Sequence, residues 1–207
     1  MGFLSRSLGL SRVEADDYYQ RALSAYQRGK YEDAVEQIEL AITLLPQNAE
    51  YYAVRGLFHL ENDDAEQARE GFQQALSLHT GEAVANYGMG RLCFGDKKWA
   101  QALGWLNKVR MVNPTLAEAP YYMALVYHRQ RDNATAQAFM KQALALMEDQ
   151  DDKRKKDAKA WLTTFEELIE EEETAGQEVT VDADRVRVNQ QALKGGRAAG
   201  QLGDGQS

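Results

Sequence analysis

The stretch "GKYEDAVEQIELAITLLP" (residues 29–46) opens on a glycine, closes on a proline and carries apolar residues at helical spacing between them. Ala34, Ile38, Ala41 and Leu44 stand at i, i+4, i+7 and i+10, which puts them on one helix face. Taken alone, the stretch is an amphipathic helix; slid along the chain, it is one of four copies. At an offset of 34 residues Ala34 meets Ala68, Ala102 and Ala136 without a gap. Ile38 meets Phe72, Leu106 and Met140, while Ala41 meets Ala75, Val109 and Ala143. Leu44 meets Leu78, Val112 and Leu146. Upstream, the small residues Ala22, Gly56, Gly90 and Ala124 share a column. Prolines recur at Pro46 and Pro114, with Thr80 and Glu148 in the other two copies.

Each unit has one grammar: a first helix (roughly 15–28 in the first copy) with a small residue midway, a short turn, and a second helix with its apolar face. The turns read "QRGKY", "ENDDA", "GDKKW" and "RQRDN". Antiparallel helices joined so tightly approach closely only where side chains are small, so Ile38 or Phe72 is expected to fill the gap beside Ala22 or Gly56. One such pair cannot bury its apolar face alone. Stacked neighbours do it for each other and build an elongated solenoid.

These columns resemble the tetratricopeptide repeat family, over about 15–150 and in gapless register. The resemblance implies an all-α, right-handed superhelix of four helix-turn-helix repeats (15–48, 49–82, 83–116, 117–150) and a non-catalytic role in holding other proteins. Departures are confined to the early aromatic, Tyr18 and Tyr52 but Asn86 and Pro120, and to the leucine position, which holds Arg21, Arg55, Met89 and Met123. A thirty-five-residue RNA-binding repeat is disfavoured by the 34-residue spacing and the acidic charge.

Beyond the repeats, residues 1–14 are expected to form a separate, flexible N-terminal segment and 151–175 a capping helix. The cap's apolar face would be Ala158, Trp161, Leu162, Phe165, Leu168 and Ile169. Asp149, Asp151 and Asp152 each precede a lysine by four residues, the favourable order for helix pairs. The basic cluster near the start of the cap and the acidic run near its end oppose the helix dipole. No Gly or Pro stands between Phe139 and Ala175, so repeat four is expected to run into the cap with little interruption. Residues 176–207, ending "GGRAAGQLGDGQS", read as a flexible tail; the alternative is that "VTVDADRVRV" docks as an extended peptide in this molecule or another.

The net charge of −8 argues against a general nucleic-acid binder, which needs basic surface to displace phosphate counterions. A single cysteine, Cys93, cannot form an internal disulfide, so a reducing, cytoplasmic setting is expected. "MGFLSRSLGLSR" has no apolar core of signal-peptide length, and no run is long enough for a membrane span. Arg6 breaks the myristoylation pattern.

Catalytic constellations are missing from the pattern. His59, His79 and His128 have no partner histidine at i+3 or i+4, and His59 and Cys93 share a column on the packing side of the first helices. "GMGRLCFG" puts Cys93 where a phosphate loop needs its third glycine, inside a predicted helix. The run "EELIEEEE" lacks calcium-loop spacing. No enzyme activity, metal or cofactor is implied.

A second stripe runs along the first helices: Tyr19, Leu23 and Tyr26; Ala53, Leu57 and Leu60; Tyr87, Arg91 and Phe94; Tyr121, Leu125 and His128, with Arg129 beside it. In proteins resembling this family that face lines a concave groove holding a peptide. Tyr87, Arg91, Phe94, Tyr121 and Arg129 are expected to be its most exposed members, and aromatic and arginine side chains are the types that anchor binding energy. One subclass of the family grips acidic chaperone C-termini through a lysine–asparagine clamp. The matching places here hold Tyr19, Leu23, Val54, Val84 and Gly88, none of which can clamp a carboxylate. The resemblance therefore implies an apolar or aromatic-bearing ligand, with Arg91, Arg129, Lys155 and Lys159 available for an acidic contact. Self-association through end or groove surfaces, and a subunit role in a larger assembly, are the alternatives.

Overall fold

A computed structural model describes the backbone of residues 2–175 and the side chains of 11–175. The tail expected over 176–207 lies outside the described residues. Nine helices occur in order among the described residues: α1 (Gly2–Gln27), α2 (Tyr31–Leu44), α3 (Ala49–Glu61), α4 (Ala65–Leu78), α5 (Ala83–Gly95), α6 (Trp99–Val112), α7 (Glu118–Arg129), α8 (Asn133–Asp149) and α9 (155–175). Helices pair as α1 with α2, α3 with α4, α5 with α6 and α7 with α8. Along the stack α3 touches α5 and α5 touches α7, as in a superhelical solenoid.

The turns inside the four pairs are the same object. Each first helix ends in a Schellman motif, in which the residue just past the helix takes the left-handed conformation. That residue is Gly29 (φ 71°), Asp63 (60°), Lys97 (59°) and Arg131 (64°), one per repeat and 34 apart. The following amide reaches back in every case: Lys30 N to Ala25 O at 3.0 Å, Asp64 N to His59 O at 2.9 Å, Lys98 N to Cys93 O at 2.8 Å and Asp132 N to Tyr127 O at 3.0 Å. Asp64 and Asp132 also cap the next helix, accepting from Gln67 N and Thr135 N.

Between the paired helices the repeat columns become the core. Ala34, Ala68, Ala102 and Ala136 are fully buried, as are Ile38, Phe72, Leu106 and Met140 and the column of Ala41. Gly56 and Gly90 face the bulky column: a methyl group on Gly56 would lie 2.7 Å from the Phe72 ring, and one on Gly90 would lie 3.0 Å from Leu106. The fourth column, Leu44 to Leu146, is only half-buried, and Val112 within it is 48% exposed. It lies at the helix ends, past the closest approach of the pair.

Two expectations about the ends are corrected. α1 is continuous from Gly2, so no backbone break separates residues 2–14 from repeat one. From Ser11 to Gln27 the chain has no glycine or proline to stop the helix. At the other end, repeat four does not run on into the cap. α8 extends three residues past its counterparts and stops at Asp149, where Asp151 (φ 51°) supplies a fifth left-handed turn. Asp152 N bonds Met147 O at 2.8 Å, and the Asp152 carboxylate accepts from Arg154 N at 2.8 Å to start α9. Aspartates do here what glycine usually does, which is why a search for Gly and Pro missed the break. The aspartate–lysine series keeps one of its expected pairs, Asp151 with Lys155 at 2.5 Å, because Asp152 turns to Arg154 instead.

Candidate concave binding groove

The first helices bring Tyr26, Leu57, Tyr87, Arg91 and Tyr121 around a cavity of about 380 Å³, closed at one side by Arg154 and Asp157 near the start of α9. Arg91 is its centre. Its guanidinium pairs with Glu61 and lies 5.6 Å from the Tyr87 ring and 5.7 Å from the Tyr122 ring. Tyr122 in turn packs edge-on against Tyr87 and Phe94, each at 5.7 Å, and against Tyr121 at 5.8 Å. The result is an aromatic floor with one arginine laid across it.

Burial sets the electrostatics of this floor. It pushes the Tyr87 phenol well above its ordinary value, so the hydroxyl stays a neutral donor. Burial opposes the charge on Arg91, but the Glu61 carboxylate that accepts from its guanidinium keeps it cationic. Arg154 pairs with Glu118 at 2.8 Å and with Asp152, so both cations at the cavity already have carboxylate partners.

The sequence stripe divides between this groove and the packing around it. Leu23 lies against the core of repeats one and two, Leu60 against that of two and three, and Leu125 against that of repeat four and the cap. Tyr19 lines a different, larger cleft of about 720 Å³ between α1 and the α2–α3 turn, stacked on Tyr51 at 5.3 Å with its hydroxyl donating to Glu50 at 2.7 Å. Phe94 packs on Trp99 at 5.5 Å and supports the floor from behind. His128 is covered by the cap, 5.4 Å from the rings of both Trp161 and Phe165. Of the five residues expected to be most exposed, only Arg129 is; Tyr87, Arg91, Phe94 and Tyr121 are half-buried in mutual contact. The correction has a simple cause: the first helices of the repeats stand close enough for long side chains to meet across the groove.

Sequence reasoning missed Tyr122. It occupies the column of Val54 and Gly88, which faces the seam, and nothing in the spacing shows that a tyrosine there swings into the groove. Among the described residues no group of three or more His, Cys, Asp or Glu could hold a metal ion, and no helix is long and apolar enough to cross a membrane.

Residues 15–48 match the family model for the tetratricopeptide repeat. No curated protein matches the sequence. Among solved structures, a thermophilic tetratricopeptide-repeat protein of Thermus thermophilus is 20% identical, with a TM-score of 0.63 over 86% of this chain and 99% of that one. Pseudomonas aeruginosa pilF is 19% identical, with a TM-score of 0.60 over 78% of this chain and 77% of its own. The first tetratricopeptide domain of Spaghetti (RPAP3), bound to the HSP90 peptide SRMEEVD, is 17% identical, with a TM-score of 0.55 over 58% of this chain and 98% of that domain. At such identities the likeness is one of fold. One repeat, residues 15–48, thus matches the tetratricopeptide repeat directly, and the chain builds the same helical pair four times in register, the fold of these solved structures.

Proposed function

We propose that the chain is a non-catalytic scaffold that holds an extended or helical segment of a partner protein in the concave groove of α1, α3, α5 and α7. The observation that carries this reading is the convergence of Tyr26, Leu57, Tyr87, Arg91 and Tyr121, from four separate repeats, on one cavity. Half-buried tyrosines with neutral hydroxyls offer large apolar area and a few donors at low entropic cost, a good surface for aromatic and aliphatic side chains.

The Spaghetti domain holds an acidic peptide. This groove is built for something else. Arg91 and Arg154 are committed to Glu61 and Glu118, so an acidic C-terminus would have to break an existing pair before making its own. An apolar or aromatic-bearing segment needs no such exchange. Peptide-library display against the full chain tests the reading: selected sequences should be rich in Phe, Leu, Trp or Tyr. They should lose at least about tenfold in affinity for a Tyr87→Ala, Tyr121→Ala variant of unchanged helicity. Selected peptides indifferent to that variant would move the site off the groove.

Self-association is less well supported. The cap covers the apolar face that repeat four would offer to another copy: Ala158 and Phe165 are fully buried, and the outward positions Lys156, Thr163, Glu166 and Glu170 are polar.

A further inference from the structure

On the side of the second helices, away from the groove, the junction of repeats three and four carries a notch that the repeat pattern explains. In repeat two the Tyr52 ring lies beside the α2–α3 turn, with its hydroxyl donating to Pro46 O at 3.1 Å. One repeat on, Asn86 takes the same position and donates to Thr80 O, the counterpart of Pro46 O, also at 3.1 Å. One more repeat on stands Pro120, which has neither an aromatic ring to reach over the turn nor a donor. A cavity of about 430 Å³ is left open there, lined by Arg110, Met111, Pro114, Gln142 and Leu146 beside Pro120.

Two neighbouring columns change at the same place. Arg110 stands where the other repeats have Ile42, Leu76 and Leu144, and Met111 where they have Thr43, Ser77 and Ala145. Met111 is 83% exposed and Arg110 leans over the Phe139 ring at 5.3 Å. One exposed methionine is ordinary. Three coincident departures, which remove the internal ring, make the rim apolar and add a cation, describe a socket.

We propose that this notch receives an aromatic side chain, presented beside a carboxylate by a segment of a partner protein. The equivalent space in repeat two is closed by a tyrosine of the protein's own. The lining of the notch holds Arg110 and no acid, in a chain of net charge −8. The chain's own ends do not suit it. Residues 176–207 contain no aromatic residue, and Phe3 has only Arg6 as a charged neighbour within residues 1–10. The site is independent of the groove and stands whether or not the groove binds a peptide.

The test uses the full chain with labelled methionine and leucine methyl groups and the peptide acetyl-Glu-Tyr-Glu-amide. Saturable shifts at Met111 and Leu146 are expected, with acetyl-Glu-Ala-Glu-amide inert. Pro120→Tyr supplies the ring in cis and should weaken binding by about tenfold or more. Met111→Glu, at an exposed position, should do the same and serves if Pro120→Tyr fails to fold. No shift up to about 10 mM peptide, binding retained in both notch variants, or shifts centred on Met147 in the groove would overturn the proposal. Concentration-dependent shifts at Met111 without peptide would assign the notch to a second copy and overturn it equally.

Discussion

In repeat two the Phe72 ring lies against Gly56 of its own pair and reaches Gly88 of the next, whereas in repeat four the same column holds Met140 facing Ala124. Repeat two is locked on both sides by a rigid ring set between glycines. Repeat four is closed by a flexible side chain on one side and by α9 on the other. The two share a register but couple differently to their neighbours. The middle of the solenoid shares a buried ring with the next repeat along, while the end is closed by a cap, so the cap is expected to open before the repeats do.

The sharpest way to break this contrast is at the seam. Phe72→Ala should cost about 3–5 kcal/mol, because the ring is fully buried and the two glycines it packs on, Gly56 and Gly88, have no side chain to fill the void. Denaturant unfolding checks this, and repeats one to three should lose protection together. Gly88→Ala approaches the same contact from the other side. The added methyl would overlap the ring, so a loss of about 1–3 kcal/mol is expected despite alanine's better helix propensity. Gly88→Ala with Phe72→Leu should recover most of it, which a loss unrelated to the contact would not.

At the other end, Phe165→Ala removes a fully buried ring from the cap. The cavity alone would cost about 3 kcal/mol or more. The measured global loss should be smaller than for Phe72→Ala, because α9 can detach before the repeats unfold. Hydrogen exchange separates the cases: α7 and α8 should open faster while α1 to α4 keep their protection. Equal loss of protection along the whole chain would erase the distinction between middle and end.

A smaller effect tests how the cap is held. Asn133 is 5% exposed where repeat two has the exposed Ala65. Its amide donates to Glu172 at 2.8 Å, and its carbonyl oxygen lies 2.9 Å from His128 Nδ1, tying α7, α8 and α9 together. Asn133→Ala should cost about 1–2 kcal/mol and act on α9 first. Ala65→Asn in repeat two should be close to neutral, since no helix end lies over it to be tied.

Most of the frame was legible because it repeats. A column of alanines at 34-residue spacing can be read without a structure, and the pairing of Gly56 with Phe72 follows from size alone. The groove was legible only as a stripe. Which members of the stripe meet depends on reach across the groove: Arg91 crosses to Glu61, while His128, at the same helical phase as Phe94, is claimed by a cap packing beside it. Tyr122 belongs to the seam by register and to the groove by length. The end of α8 was hidden because its stop signal is conformational and is borne by an aspartate.

That last point gives the finest comparison between repeats. The same left-handed turn is made by Gly29 in repeat one, Asp63 in repeat two, Lys97 in repeat three and Arg131 in repeat four, with φ between 59° and 71°. A side chain in this region crowds its own backbone at a cost of about 1 kcal/mol, which aspartate partly offsets by local hydrogen bonding and lysine or arginine does not. Lys97 and Arg131 are both exposed, so little else is lost by replacing them. Lys97→Gly and Arg131→Gly should therefore each stabilise the chain by somewhat less than about 1 kcal/mol, because glycine also loses more freedom on folding. Asp63→Gly should gain less than either, and Gly29→Ala should lose about as much as the others gain. Thermal unfolding of the four variants reads this order directly. If Gly29→Ala were neutral, the left-handed turn would not be what sets the hinge between the two helices of a repeat, and the shared geometry of the four turns would need another cause.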